Sequence, residues 1–242
     1  MIAATKRAVA PAPTVKVLTS VALTSALDEL APQFERTTGN KVTIGYSLMA
    51  DIKKRVLAGE GADVIILSRP AMDELQKQGK LAPGTIANIA STPVAVAVRA
   101  GASKPDIGSG DALKRALLAA KSVVYSDPAK GGASGIHFAR VLDRLGIAAQ
   151  VKPKTILVPL AETADVVAKG EAEIGVAQAS EIVPVAGAQL VGPLPGELAS
   201  VTLFAAGIGA GSTAPEEAKS LIRFLTGPGA APVFKAKGFE PG

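Results

Sequence analysis

A glycine-rich segment at residues 127–137, with the sequence DPAKGGASGIH, is the part of the chain best suited to hold an anion. It follows the apolar run 123–125, so we expect a strand, a turn and the start of a helix. Glycines let the backbone approach a ligand closely, and free N–H groups at a helix start attract negative charge. We expect Ser134 to cap a helix that begins near Ile136. The predicted ligand contacts in this glycine-rich turn are Ala133, Ser134 and Gly135.

The single histidine of the chain, His137, falls in the first turn of that predicted helix. Three roles are open to it: contact with a ligand, general base, or a surface position. No carboxylate at a recognisable spacing identifies an acid–base partner for it. The sequence therefore makes His137 a candidate contact and leaves its chemistry undecided.

Three other predicted strands end in polar loops, at residues 19–21, 46–48 and 68–70. Ligands of open α/β sheets bind beyond the carboxyl ends of the strands, so these loops should line the same cleft. Each hydroxyl could instead be an ordinary helix cap, but hydroxyls recur at several strand ends, which favours a site. The predicted contacts are Ser20, Val21, Ser47 and Leu48.

Arg69 directly follows the apolar run 62–67, which is typical of a strand buried on both faces. A guanidinium group placed there could pair with a ligand carboxylate through two parallel hydrogen bonds. The alternative is a surface arginine before the turn that Pro70 introduces. Both interpretations stay open at this point.

Several catalytic and metal chemistries are excluded by residue counts. The chain has no cysteine and one histidine, which rules out thiolate catalysis, disulfides and a zinc site with several histidines. It contains neither a nucleophile elbow nor a phosphate-binding Gly-Lys-Ser/Thr loop. The paired acids at 28–29 and 216–217 fall in early helical turns, where they favour the helix dipole. We therefore expect no metal and no cofactor.

Composition points to a globular chain with an aliphatic core. Of 242 residues, 48% are hydrophobic and 3% aromatic, and the net charge is +5. The basic residues are scattered over predicted helix faces without aromatic partners, so we expect no nucleic-acid partner. No apolar run approaches the ~20 residues that cross a bilayer. Residues 1–14 lack the apolar segment of a secretory signal, and we expect them to be flexible.

Strand and helix patterns alternate along the chain, which predicts an α/β fold with mainly parallel sheets. Two long predicted strands, at 92–99 and 199–208, bracket a middle block with its own alternation. This arrangement is typical of one lobe inserted into another, with a cleft between them. We predict a first lobe from residues 15–93 plus 200–242 and a second lobe from residues 94–199. A capping box at 213–216 should begin the last long helix.

Five motifs together resemble bacterial periplasmic solute-binding proteins of the molybdate-binding type, over nearly the whole chain from Val15 onward. They are TSVALTSAL at 19–27, TGNKV at 38–42, GADVII at 61–66, the glycine-rich turn, and GEAEIG at 170–175. The resemblance implies a two-lobed type II periplasmic binding fold joined by two crossing hinge strands. It also implies a periplasmic monomer, freed of its signal peptide, that binds a small anion and delivers it to the permease of an ABC importer.

The motifs depart from the molybdate pattern at three positions. Ala22 stands where that family has a serine, Gln178 where it has a tyrosine, and Arg69 where it has a small or acidic residue. We therefore add Gln178 to the predicted contacts. An arginine and a glutamine suit a planar carboxylate better than a compact tetrahedral oxyanion, so an organic carboxylate is the expected ligand, with molybdate or tungstate as an alternative.

The resemblance also extends to an enzyme of this fold, periplasmic aconitate isomerase, which interconverts cis- and trans-aconitate without a cofactor. On that alternative, His137 would remove a proton beside a carboxylate. Arg69, Ser134 and the backbone of Gly135 would then stabilise the charge that develops. Binding without catalysis is the first expectation, because this fold carries solutes more often than it transforms them.

Overall fold

The structure is a computed structural model that describes residues 13–242. The predicted flexible N-terminal segment lies outside the described residues up to residue 12. Thr14, which was included in that segment, already belongs to the first strand.

Helices and strands alternate through most of the chain. The first part contains β1 (Thr14–Ser20), α1 (Thr24–Thr38), β2 (Lys41–Ser47), α2 (Met49–Leu57), β3 (Val64–Ser68), α3 (Arg69–Lys77) and β4 (Ala87–Arg99). The middle part contains α4 (Gly110–Ala119), β5 (Val123–Ser126), α5 (Ala133–Arg144), α6 (Ala148–Val151), β6 (Thr155–Val158), α7 (Thr163–Ala168), β7 (Ile174–Gln178), α8 (Ala179–Ile182) and β8 (Ala188–Pro193). The last part contains β9 (Val201–Ile208), α9 (Pro215–Leu225), α10 (Ala231–Ala236) and β10 (Glu240–Pro241). Short 3-10 turns lie at Val21–Leu23, Pro128–Lys130, Lys152–Lys154 and Gly196–Leu198.

The strands form one curled sheet in the order β2-β1-β3-β9-β4-β7-β5-β6, and β8 and β10 both pair with β4. Strand β1 is parallel to β2 and β3, and β5 is parallel to β6 and β7. The long strand β4 pairs with β9 over residues 87–93 and with β7 over residues 94–97. The α/β architecture predicted from the alternating pattern is confirmed.

Separate hydrophobic cores lie on either side of this change of partner. The main one on the first side is built on β1, β3 and β9 and contains Phe34 and Phe204, and the main one on the other side is built on β5 and β7 and contains Phe138. We call these parts the first and the second lobe. Ile89 of β4 packs in the first core and Val94 in the second. The exact lobe boundaries remain a proposal, which this change of packing along β4 supports.

Helix α1 packs against the first core through one apolar face. Its buried residues recur at helical spacing, at Ala26, Leu27, Leu30 and Phe34, so one face packs in the first core. The helix ends at Gly39, whose φ of 77° is the left-handed conformation that glycine adopts without strain. None of the helices in residues 13–242 has the length and apolar character that a bilayer crossing requires.

The capping box predicted at 213–216 is wrong. Helix α9 begins at Pro215 after Ala214, with no side-chain cap. The N–H groups of Thr213 and Ala214 instead donate to the buried carboxylate of Asp63, at 2.9 and 3.1 Å. The hydroxyl of Ser212 donates to the same oxygen at 2.8 Å. A carboxylate about 150 residues away in sequence therefore satisfies the groups that a local cap would have taken.

Candidate functional site

The carboxyl ends of β1 and β2 place two predicted contacts side by side. Ser20 and Ser47 are register partners in the parallel ladder between these strands. Ser20 is buried, and its Oγ accepts the N–H of Ala22 at 3.3 Å, which caps the 3-10 turn that starts at Val21. The first lobe thus presents one hydroxyl from each of two adjacent strands at this edge.

Two helices of the first lobe start at the same edge without a side-chain cap. Helix α2 follows Leu48, and α3 follows Ser68, both in extended conformation. The N–H groups of a first helical turn have no partner within the helix. Those of α2 are therefore candidate donors to an anion, while Pro70 removes one donor from α3.

Arg69 is the first residue of α3 and does not lie in a loop as predicted. Its Nε donates to Asp73 Oδ1 at 2.8 Å, and its Nη1 donates to Asn88 Oδ1 at 3.2 Å. Nη2 takes part in neither contact. The guanidinium group is therefore oriented by two residues of its own lobe and keeps a donor for a further partner.

The glycine-rich turn leads into α5 one turn earlier than predicted. The helix begins at Ala133, after Gly132 in extended conformation, so the expected cap by Ser134 is wrong. Ser134 lies within the first turn, and its Oγ is 3.3 Å from Ser126 Oγ at the end of β5. A Cβ on Gly135 would collide with the carbonyl oxygen of Ser126. The glycine therefore allows α5 to start directly against its own strand.

Gly131 of the second lobe packs against the first lobe. Its φ of 86° is left-handed, and a Cβ on it would lie 3.0 Å from the Cβ of Ala50 in the first turn of α2. The uncapped start of α2 in the first lobe therefore packs next to the turn that precedes α5 in the second. Of the predicted contacts, Leu48 directly precedes this start of α2, and Ala133 follows Gly131 by two residues.

His137 lies farther along α5 and contacts the 3-10 turn at Gly196–Leu198. Its Nε2 is 2.8 Å from the carbonyl oxygen of Leu198, shortly before β9 begins. A carbonyl oxygen only accepts, so Nε2 carries the proton in this bond, and a neutral ring keeps its basic lone pair on Nδ1. The sequence could not identify this partner, which is 61 residues away.

Gln178, at the end of β7, is buried and connects to β9. Its Nε2 donates to Thr202 Oγ1 at 3.1 Å, and its backbone N–H donates to Glu181 Oε2 at 3.2 Å. One residue into α8, the N–H of Ser180 donates to Thr92 Oγ1 in β4 at 3.1 Å. The start of α8 is therefore held by both strands that connect the lobes.

A cavity of about 390 Å³ lies between the lobes beside this helix, and we call it the rim cavity. Val21 is the predicted contact that lines it. The other lining residues are Thr24, Ser25, Leu160, Ala161, Glu162, Asp165, Ser180, Glu181, Pro184 and Val185. Three carboxyl groups therefore stand near the start of α1.

Glu181 was missed by the sequence reasoning. Burial raises the pKa of its carboxyl to about 7, against the lowering effect of the Gln178 N–H, and the charge of Glu162 raises it further. The only sequence signal is an acid in an otherwise uncharged run, AQASEIVPVAGAQL. Among the described residues, no group of three or more histidines and acids is arranged to hold a metal ion.

Residues 15–240 match the family model described as bacterial extracellular solute-binding protein. The chain belongs to this family. The solute-binding protein is 34% identical over 237 residues to an aconitate isomerase of a Pseudomonas species, covering 96% of this chain and 89% of the relative. It is 26% identical over 238 residues to a molybdate-binding protein of Azotobacter vinelandii, covering 95% and 91%.

A solved periplasmic molybdate-binding protein of Azotobacter vinelandii has the same fold. It superposes with a TM-score of 0.74 at 21% identity, over 93% of this chain and 98% of the other. The type II periplasmic binding fold predicted from the motifs is thereby confirmed. At this identity the likeness concerns the fold, and the ligand has to be argued from the residues of the solute-binding protein itself.

Proposed function

We propose that this solute-binding protein holds a small organic anion with two or three carboxylates in the cleft between its lobes. The observation that carries the proposal is the packing of Gly131 against Ala50, which brings the starts of α2 and α5 together from opposite lobes. Uncapped helix starts supply N–H donors and a partial positive charge. An anion held between them would bond to both lobes and stabilise the closed arrangement.

The side chains of the predicted contacts favour a carboxylate over a compact oxyanion. Arg69 is held by Asp73 and Asn88 with Nη2 outside both contacts, and a guanidinium group matches the plane of a carboxylate. Ser20 and Ser47 add hydroxyl donors at adjacent strand ends. Gln178 brings an amide where the molybdate pattern has a phenol. An extended ligand with separate carboxylates could reach several of these groups.

The family membership supports transport as the role of binding. A solute-binding protein that closes on its ligand hands it to a permease, so we propose an ABC importer as partner and the periplasm as location. The experiment for binding is calorimetry with cis-aconitate, trans-aconitate, citrate, molybdate and sulfate. Tighter binding of the tricarboxylates supports the proposal. Tighter binding of molybdate would replace it with the oxyanion alternative.

Aconitate isomerisation is the second candidate, and the 34% identity to an aconitate isomerase over 96% of the chain favours it. The reaction moves one proton: a base removes it from the carbon beside one carboxylate, the double bond shifts, and the proton returns to the carbon at the other end. His137 Nδ1 is the proposed base, because Nε2 is bonded to Leu198. Arg69, Ser134 and the Gly135 N–H would stabilise the enediolate.

Proton NMR of the protein with cis-aconitate separates carrier from enzyme. Appearance of the trans isomer faster than in buffer supports catalysis, and binding without conversion supports the carrier alone. A His137→Ala variant then tests the base. If it converts aconitate as fast as the unmodified protein, the base is another group and the reaction class stands.

A further inference from the structure

Acidic side chains line one wall of the rim cavity, beside the proposed anion site. Val21, a proposed ligand contact, lines the same cavity as Glu162, Asp165 and Glu181. A cavity of about 390 Å³ is roughly 9 Å across if it is treated as a sphere, so charges on its walls interact measurably. An anion near Val21 therefore lies within reach of these carboxylates.

The Glu181 carboxyl group is held in place by its surroundings. It is partly buried in the first turn of α8, while Asp165 is exposed. One of its oxygens accepts the N–H of Gln178 at 3.2 Å, so the carboxyl is fixed next to a proposed ligand contact. Burial raises the pKa of this carboxyl to about 7, and an additional negative charge nearby would raise it again.

The elements packed on α8 bring no free cation to Glu181. Helix α7 and the loop before it carry Glu162 and Asp165. The strands β7 and β8 and the 3-10 turn at 21–23 carry no charged residue, and the one in β4 is Arg99, at its far end beside Gly170.

Another neighbour of α8 is the turn after α10. Gly238 in this turn lies against the carbonyl of Ala179, and the adjacent Lys237 has its Nζ 3.1 Å from Glu29 Oε2. The ammonium group is therefore paired with α1. The local charge around Glu181 is negative.

We propose that Glu181 couples anion binding in the cleft to proton uptake, so that the ligand binds most tightly when this carboxyl is protonated. The inference rests on the proposed function, since it needs an anion in the cleft. The physical reason is reciprocal. A bound anion disfavours ionisation of Glu181, and ionisation of Glu181 lowers the affinity for the anion by the same factor. A proton is then taken up as the ligand binds and released as it leaves.

The test is calorimetry with cis-aconitate at several pH values, on the unmodified protein and on Glu181→Gln. The Kd of the unmodified protein should rise about twentyfold from about pH 5.5 to about pH 8.5, as expected for two unit charges on opposite walls of the rim cavity, roughly 9 Å apart, at the effective dielectric of a protein. Glu181→Gln should bind tightly throughout this range. The ionisation of the ligand itself is common to both proteins, so the difference reports Glu181.

Two further variants assign the effect. Glu216→Gln removes an equivalent charge from an exposed position in α9 and should keep the pH dependence. Glu162→Gln should move the midpoint to lower pH, because its charge contributes to the raised pKa of Glu181. A merely structural role of Glu181 would not respond to Glu162 in this way.

Proton uptake provides a test that needs no variant. Titrations of the unmodified protein near neutral pH in two buffers with different ionisation enthalpies should reveal up to one proton bound per ligand, beyond the uptake in Glu181→Gln. A pH dependence of the same size in Glu181→Gln and in the unmodified protein would overturn the inference while the proposed function stands. Absence of cis-aconitate binding at every pH would remove the proposed function and this inference together.

Discussion

Gly131 of the second lobe sits so close to Ala50 of the first that a methyl group on it would lie 3.0 Å from the Cβ of Ala50. This contact links the glycine-rich turn to the first turn of helix α2. It depends on a residue without a side chain in left-handed conformation, with φ of 86°. A change at Gly131 should therefore affect both the fold of the turn and the closure of the cleft.

Gly131→Ala should weaken ligand binding about tenfold, because the added methyl pushes α2 and the turn apart. It should also cost about 1 kcal/mol of stability, since alanine is strained in the left-handed region. The matched control is Gly101→Ala, where φ is 82° and no atom lies within 4 Å of the added carbon. Calorimetry and chemical denaturation should find similar stability losses in both variants. Equal loss of affinity in both would contradict the assigned contact.

Arg69→Lys should lower the affinity for di- and tricarboxylates about tenfold, because an ammonium group cannot make two parallel bonds to one carboxylate. It also breaks the orientation that Asp73 and Asn88 give the guanidinium group. Arg115→Lys, an exposed change in α4, serves as the control and should bind normally. Unchanged carboxylate affinity in Arg69→Lys would place the arginine outside the site.

Asp63→Asn should destabilise the fold by about 3 kcal/mol at neutral pH, because the carboxylate accepts several buried hydrogen bonds. Burial raises the pKa of Asp63, but the hydrogen bonds from Lys16, Ser212, Thr213 and Ala214 outweigh this effect and hold the pKa below its usual range. A group whose pKa is lowered in the folded state stabilises the fold at a pH above its unfolded-state pKa. This stabilisation is lost as the pH falls through the folded-state pKa. The stability gap between variant and unmodified protein should therefore shrink in acid, as urea denaturation at several pH values can measure. Asp106→Asn, at an exposed site, should show no such gap.

Glu181→Gln should raise the melting temperature at about pH 8 by about 3 °C and leave it nearly unchanged at about pH 5. The sign follows from the raised pKa of Glu181, about 7 against an ordinary value of 4.5. Between these values the folded protein holds a proton that the unfolded chain has released, so stability falls as pH rises through this window. The glutamine stays neutral and can still accept the Gln178 N–H. Equal melting temperatures at about pH 8 would show that the carboxyl is ionised without penalty.

Local patterns predicted the elements and the strand ends well. Apolar spacing identified α1, and the continuous run before Arg69 identified β3, because helix and strand periods are properties of a single segment. Ser20 and Ser47 lie at one edge of the sheet because parallel strands all end there. The expectation that sites gather at this edge follows from chain direction alone.

The rest depended on contacts between distant segments. Asp63 accepts the backbone N–H groups that a capping box at Thr213 was expected to satisfy. The carbonyl oxygen of Leu198 accepts the hydrogen bond from His137 Nε2. Gly132 holds the cap position expected for Ser134 because Gly135 must fit against Ser126. The pKa of Glu181 is raised because packed helices and strands bury its carboxyl group. None of these relationships leaves a periodic signal in the sequence.

Calorimetric titration of cis-aconitate into the unmodified protein at about pH 6 tests the central claim most directly. We expect one ligand per chain, a Kd of about 1 μM to 100 μM, and a Kd about tenfold higher in Gly131→Ala but not in Gly101→Ala. Absence of binding at about 1 mM, together with tight binding of molybdate, would contradict a polycarboxylate site between the lobes.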